Sequence, residues 1–341
     1  MKHEDYKVGW ICALPTEIAA AACMLDKKHK GLLTPPTDDN NYTLGQIGHH
    51  NVVIAGLPFG VMGVTSAARV AEQMRGTFTS IRFGLMVGIG GGVPSEEHDI
   101  RLGDVVVSKP GDTSGGVIQY DFGKTVQEGR FVRIGSLNRP PDVLLNAVAS
   151  LNARYMYEES QIPQILADSI ARYPLRRHAC TYPSGNSDQL FHWEYDHVQQ
   201  QATCNSCDET HLETRPSRPS NHPKIHYGII ASGNQVMKDG RTRERIRREL
   251  NVMCFEMEAA GLMDRFPCLV VRGVCDYADS HKNKQWQEYA AATAAAYAKE
   301  LLQIIPGVQV TSALNANTLM AEQSSSQPSA ARTYDEGTCV P

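Results

Sequence analysis

The sequence predicts an α/β protein, a three-layer sandwich with a mixed central β-sheet flanked by helices. Three observations lead there. Apolar runs of strand length alternate with segments of helical apolar spacing, two neighbouring runs read as a hairpin, and a long Ala-rich segment closes the pattern. The hairpin makes the sheet mixed rather than wholly parallel.

The first run, KVGWICAL from Lys7 to Leu14, reads as a buried strand, and PTEIAAAACML after it as a helix with Pro15 in its first turn. NYTLGQIG and HNVVIAGL form the hairpin, with a turn near Gly48 to His50, and VTSAARVAEQM returns to helical spacing. LMVGIG is a continuous apolar run of the kind a central strand shows, followed by strands at GDVVVS and GGVIQY. Later, HYGIIAS reads as a strand, RTRERIRREL as an exposed charged helix, EMEAAGLMDRF as a short buried helix and CLVVRGVCD as a core strand. WQEYAAATAAAYAKELLQII is the closing helix.

These elements assign residues 1–308 to one domain. Residues 155–224 are rich in Pro, His, Arg and Cys with little periodicity and read as an irregular insertion, while residues 309–341 read as a disordered tail.

Composition limits the function classes. Of 341 residues, 42% are hydrophobic and 21% charged, which is ordinary for a packed globular chain. A net charge of -4 offers no broad basic surface, so nucleic acid is not an expected partner. No stretch approaches the roughly 18 apolar residues of a membrane span, and MKHEDYKVGWICALP lacks a signal peptide's apolar run and cleavage site. A cytoplasmic protein without a membrane partner is expected. Nine cysteines, mostly single and in apolar segments, argue against a disulfide scaffold.

Four segments hold the candidate chemistry. The glycines of LMVGIGGGVP (Gly88, Gly90, Gly91, Gly92) end a strand, where backbone N–H groups commonly meet ligands, though a tight turn explains them equally well. No helix follows at the spacing of a dinucleotide fingerprint, and no P-loop occurs. In CFEMEAAGLM, Glu256 and Glu258 stand among apolar residues, where an ionised carboxylate needs firm partners. Such a Glu either receives two sugar hydroxyls or pairs with a buried Arg such as Arg272.

Asp276 ends the apolar strand CLVVRGVCD, a position where α/β proteins bind ligands and where an Asp also caps turns. The polar loop after it includes Asp279, His281, Lys282, Asn283 and Lys284. Cys204 and Cys207 form CNSC, with His192, His197 and His211 nearby. One C-x-x-C without a second pair reads first as a local disulfide or free thiols and next as a structural zinc site, and no catalytic metal and no cofactor are expected.

Together, IRFGLMVGIGGGVP, RLGDVVVSKP, IHYGIIASGNQVMKDG, CFEMEAAGLM and RGVCDYADSHKNKQWQEYAAA resemble the nucleoside phosphorylase and nucleosidase superfamily over roughly residues 6–305. The wording is similar to a fungal branch whose domain also heads NACHT and ankyrin signalling proteins. Mechanistically the chain looks like the bacterial methylthioadenosine/S-adenosylhomocysteine nucleosidases. The resemblance implies a nucleoside phosphorylase-like fold and a purine nucleoside as substrate.

It further implies roles at matching positions. CALPTEI puts Glu17 where the family activates its attacking water, and FEMEAA puts Glu258 on the ribose 2' and 3' hydroxyls with Glu256 behind it and Met257 in the binding set. VRGVCD puts Asp276 at purine N7 and Arg272 beside the water. SGNQVM puts Val236 and Met237 along the purine, with Asn234 in place of the family's Asp. Ile89 replaces a serine of the bacterial enzymes, leaving its hydrogen bond missing or supplied by the backbone of Gly90 and Gly91.

The family's phosphate-binding G-D-P-x-R loop is replaced by ALPTE, and its R-x-G-[ST] element by FGLMVGIGG, so a carboxylate stands where phosphate would bind. The resemblance therefore implies hydrolysis: Glu17 takes the water's proton, an ionised Glu258 holds the diol and Asp276 acts as general acid. The alternatives are a phosphorylase, a nucleotide nucleosidase with Lys238, Arg241, Arg243, Lys282 or Lys284 reaching a 5'-phosphate, and a ligand-sensing module. A homo-oligomer, foremost a dimer, is implied.

Overall fold

The computed structural model describes residues 1–111, 113–183, 187–198, 201 and 203–307. The tail expected at 309–341 lies outside them. In chain order the elements are β1 (Val8–Cys12), α1 (Pro15–Met24), β2 (Lys27–Lys28), β3 (Tyr42–Ile47), β4 (His50–Gly56), α2 (Val64–Thr77), β5 (Phe83–Gly92), β6 (Val105–Ser108) and β7 (Val117–Gln119). There follow β8 (Gly123–Thr125), β9 (Phe131–Arg133), α3 (Asp142–Arg154), α4 (Ile162–Arg172), α5 (Arg177–Cys180), β10 (Ile225–Ser232), α6 (Gly240–Leu250), β11 (Val252–Glu256), β12 (Cys268–Asp276) and α7 (Gln287–Ile304).

Ten strands form one sheet in the order β11-β10-β6-β12-β5-β1-β4-β3-β2, with β7 beside β10. β1 is parallel to β4 and β5, and β12 to β5, whereas β3–β4 and β12–β6 are antiparallel. The mixed sheet and its flanking helices match the expected class. Strands β1, β6 and β12 are buried at every residue, which explains their unbroken apolar runs. α7 packs on β12, β5 and α1, and α2 packs on β1 and β4.

One end of the sheet curls back on itself. β11 pairs antiparallel with the end of β5, Cys254 opposite Gly92 and Phe255 opposite Gly91. A Cβ on Gly90 would stand 2.4 Å from Cys254 Sγ, so glycine permits this crossing. The closure brings the carboxyl ends of β5, β11 and β12 together, and the candidate residues lie there.

Two expectations need correction. The segment read as a short helix at EMEAAGLMDRF begins on β11, and Glu258 precedes a 3-10 turn at Ala259–Gly261. Only Glu256 of this segment pairs in the sheet, opposite Ser232 of β10, and the residues after it run through a bend, the 3-10 turn and further turns. The segment 155–224 is likewise not irregular throughout, since it contains α4, with Ile162, Ile165 and Leu166 buried, packed against α7. Glu300 of α7 anchors its start by accepting from the Tyr155 hydroxyl at 2.9 Å, the Ser160 hydroxyl at 3.0 Å and Gln161 N at 3.2 Å.

Candidate active site

Glu17 occupies the first turn of α1, where carboxylates meet free backbone N–H groups. One oxygen accepts from Ala13 N at 2.7 Å and Leu14 N at 2.9 Å, and the other from Ile89 N at 2.8 Å. The side chain therefore bridges β1 and β5 and keeps part of its acceptor capacity for a ligand. Burial pushes its carboxyl above the usual range, against the opposing pull of Arg272 and the three N–H donors. A Cβ on Gly88 would stand 2.4 Å from Glu17 Oε1 and 2.5 Å from an Arg272 nitrogen, so only glycine leaves room for this approach.

Arg272 is fully buried on β12. Its guanidinium contacts Glu256 directly, stands 3.4 Å from Glu258 Oε2 and donates to the Ile89 carbonyl at 3.4 Å. Glu256 also accepts from Glu258 N at 3.1 Å and Ala259 N at 3.0 Å. Arg272 thus treats the two neighbouring glutamates differently. Glu256 is the ion-paired one, and Glu258 keeps a looser contact.

Burial raises the Glu258 carboxyl to about 7, Arg272 opposing and Glu256 and Glu17 adding to the rise. This rise works against the ionised Glu258 that the resemblance implies. Such a perturbed group in a cleft is a recurrent mark of a functional site.

Glu17, Gly90, Gly91 and Glu258 line one cavity of about 320 Å³, with Ile89 and Phe255. Val236, Met237, Glu256 and Met257 line it too, as do Met62 and Gln235, which sequence reasoning did not single out. Phe255 directly precedes the glutamate pair and was open to notice. Met62 comes from the loop before α2, and nothing local marks it.

Arg272, Asn234 and Asp276 are not in that lining. Asn234 instead ties the start of α2 to the residues after β7, its Oδ1 accepting from Val64 N at 3.1 Å and its N donating to Asp121 at 2.7 Å. Asp276 lines an adjoining cavity of about 380 Å³, and Cys275 and Lys284 belong to both walls. Its Oδ1 accepts from Ala278 N at 2.9 Å, a turn cap, and its Oδ2 lies 3.0 Å from Lys282 Nζ. Lys282 itself lines the first cavity. Burial works to lower its pKa, yet the Asp276 carboxylate holds the ammonium above its ordinary value.

The other cations divide as well. Arg243 is buried, donating to the Tyr277 carbonyl at 2.7 Å and lying 3.3 Å from Asp279. Arg241 pairs with Asp196 at 3.0 Å, while Lys284 joins Lys282 in the first cavity's lining. No helix among the described residues is long and apolar enough to cross a membrane.

A buried carboxylate trio around one arginine, set where a curled mixed sheet gathers its strand ends, defines the class. The chain belongs to the Phosphorylase superfamily, which it matches over residues 7–308. Over 310 residues it is 49% identical to a nucleotide-binding leucine-rich repeat (NLR)-like protein of Hyaloscypha variabilis, covering 89% of this chain. The chain spans only 30% of that relative's length. It is 25% identical over 309 residues to the 5'-methylthioadenosine/S-adenosylhomocysteine nucleosidase of Mycobacterium bovis, covering 88% of this chain and 96% of the relative. Among solved structures, futalosine hydrolase of Helicobacter pylori shares the fold at a TM-score of 0.54, with 17% identity, covering 88% of this chain and 99% of that one.

Proposed function

We propose that this site cleaves the N-glycosidic bond of a purine nucleoside with water, giving free purine and ribose. The observation that carries the reading is Glu17, lining the same cavity as Glu258 beside an arginine already engaged by carboxylates. A phosphate dianion there would meet Glu17 and find Arg272 occupied, which favours hydrolysis over phosphorolysis.

In this mechanism the C1'–N9 bond breaks with its electron pair passing to the purine, and positive charge develops on the ribosyl ring. Water oxygen bonds to C1' and its proton passes to Glu17, while Asp276, protonated when substrate is bound, gives its proton to purine N7. The ionised Glu258 accepts hydrogen bonds from the 2' and 3' hydroxyls. Lys282 is a positioning residue that holds the Asp276 carboxyl through Oδ2. Chromatographic detection of base release from adenosine, guanosine, inosine, methylthioadenosine, AMP and ATP tests this. Release independent of added phosphate supports hydrolysis, and release only with phosphate replaces it with phosphorolysis.

A second reading, a ligand-sensing module of a larger signalling protein, is favoured by the 49% identity to an NLR-like protein. Stoichiometric nucleoside binding by calorimetry without base release would select it. Nucleotide substrates are favoured by Lys282 and Lys284 in the cavity lining. The homo-oligomer reading is supported by the half-exposed Met62 and Val236 at the cavity and by Phe59, 90% exposed in the same loop as Met62. Sedimentation equilibrium tests it, and a monomer at all concentrations would end it.

A further inference from the structure

Away from the carboxylates, the segment before β10 brings soft ligands together. We propose that His197, Cys204 and Cys207 form a zinc-binding site that fastens this segment to the loop between β12 and α7. Their ligand atoms all lie within 4.8 Å of one another. With Zn–S near 2.3 Å and Zn–N near 2.0 Å, sulfur and nitrogen atoms on one tetrahedral ion stand roughly 3.5–4 Å apart, so small side-chain adjustments close the shell.

The surroundings are those of a ligand set. A 3-10 turn at Cys204–Ser206, with Cys207 N donating to the Cys204 carbonyl at 2.9 Å, holds the two cysteines close. His197 Nε2 lies 3.1 Å from the Thr203 carbonyl. A proton on Nε2 donated to that carbonyl would leave Nδ1 as an unprotonated ring nitrogen, and a second hydrogen bond of this kind is common among metal-binding imidazoles. Two sulfurs and an imidazole suit zinc rather than a hard cation. Cys204 lines the 380 Å³ cavity, so water reaches the fourth position.

The same structure disfavours the local disulfide and narrows the histidines. Both cysteines are free thiols in this structure. A divalent cation bound between them would hold both as thiolates, with two protons released on binding. His211 instead stacks on Tyr195 at 4.2 Å, and His192 lies 3.9 Å from Glu194.

The site joins the segment to the functional loop. His197 N donates to Ser280 Oγ at 2.9 Å, the His197 ring meets the His281 ring edge-on at 5.4 Å, and Cys204 Sγ lies 3.9 Å from the His281 carbonyl. An ion here would brace the loop that follows Asp276 and carries Lys282.

The full chain, freed of metal under reducing conditions, is titrated with cobalt(II) and then zinc. A thiolate-to-cobalt charge-transfer band with tetrahedral visible bands, saturating at a single equivalent and erased by zinc, is expected. Cys204→Ser with Cys207→Ser should abolish the band, and His197→Ala should weaken binding by at least about tenfold. A wild-type chain without the band, or a band that survives the double substitution, overturns the proposal. So does intact-mass evidence that Cys204 and Cys207 are disulfide-linked in freshly purified protein.

Discussion

Lys282 Nζ lies 3.0 Å from Asp276 Oδ2, joining a cation of the first cavity's wall to the carboxylate that ends β12. Asp276 caps its own turn with the other oxygen, and Oδ2 is shared between Lys282 and the Cys275 thiol, which donates to it at 3.0 Å. Lys282→Met should lower kcat for base release by roughly tenfold to a hundredfold with a smaller change in KM. Lys282→Arg should restore much of it. Steady-state kinetics on the three proteins check this, and equal loss in KM alone would assign Lys282 to substrate binding instead.

Glu258 introduces a pH dependence near neutrality. Its carboxyl sits at about 7 in the fold against a reference of 4.5, so the folded protein retains a proton that the unfolded chain has lost across that window. Stability from this group therefore falls as pH rises from 4.5 to about 7 and is flat above. Urea denaturation at about pH 5 and about pH 8 should show a decline that is smaller in Glu258→Gln. Base release should move the other way, with kcat/KM rising through about 7 as the diol-binding carboxylate forms.

Glu17 and Asp276 carry opposite halves of the proton traffic. Glu17→Gln and Asp276→Asn should each reduce turnover by about 10²–10⁴-fold. Because both substitutions keep size and shape, circular dichroism spectra should match the wild type. Wild-type rates from either variant would remove that residue from the mechanism.

Arg272 is a different kind of residue, buried and in contact with Glu256. Arg272→Met leaves Glu256 and Glu258 without their cation and should cost about 3–5 kcal/mol of stability. Adding Glu256→Gln should return part of that loss, since the two side chains are energetically coupled. Denaturant titrations of the single and double variants measure the recovery.

Much of the architecture was legible in the sequence. Apolar runs at β1, β5 and β12, the hairpin of β3 and β4, and the Ala-rich α7 all follow from periodicity, because each is decided over a few neighbouring residues. The resemblance also singled out Glu17 and Glu258, which the fold brings to one cavity from opposite ends of the chain. Less legible were β11, too short for its apolar run to choose a period, and α4, flanked by polar and proline-rich sequence.

The resemblance separated the roles of Glu256 and Glu258, but their ionic partners were decided by tertiary structure. Glu256 and Glu258 look equivalent in CFEMEAAGLM, yet Arg272 binds the first directly and leaves the second at 3.4 Å with a raised carboxyl. Asp276 faces Lys282 through a loop whose conformation no local pattern dictates, and His197, rather than His192 or His211, joins the cysteine pair. Element type answers to side-chain spacing along the chain, whereas charge state and ligand geometry answer to burial and to distances of a few ångströms between residues far apart in sequence.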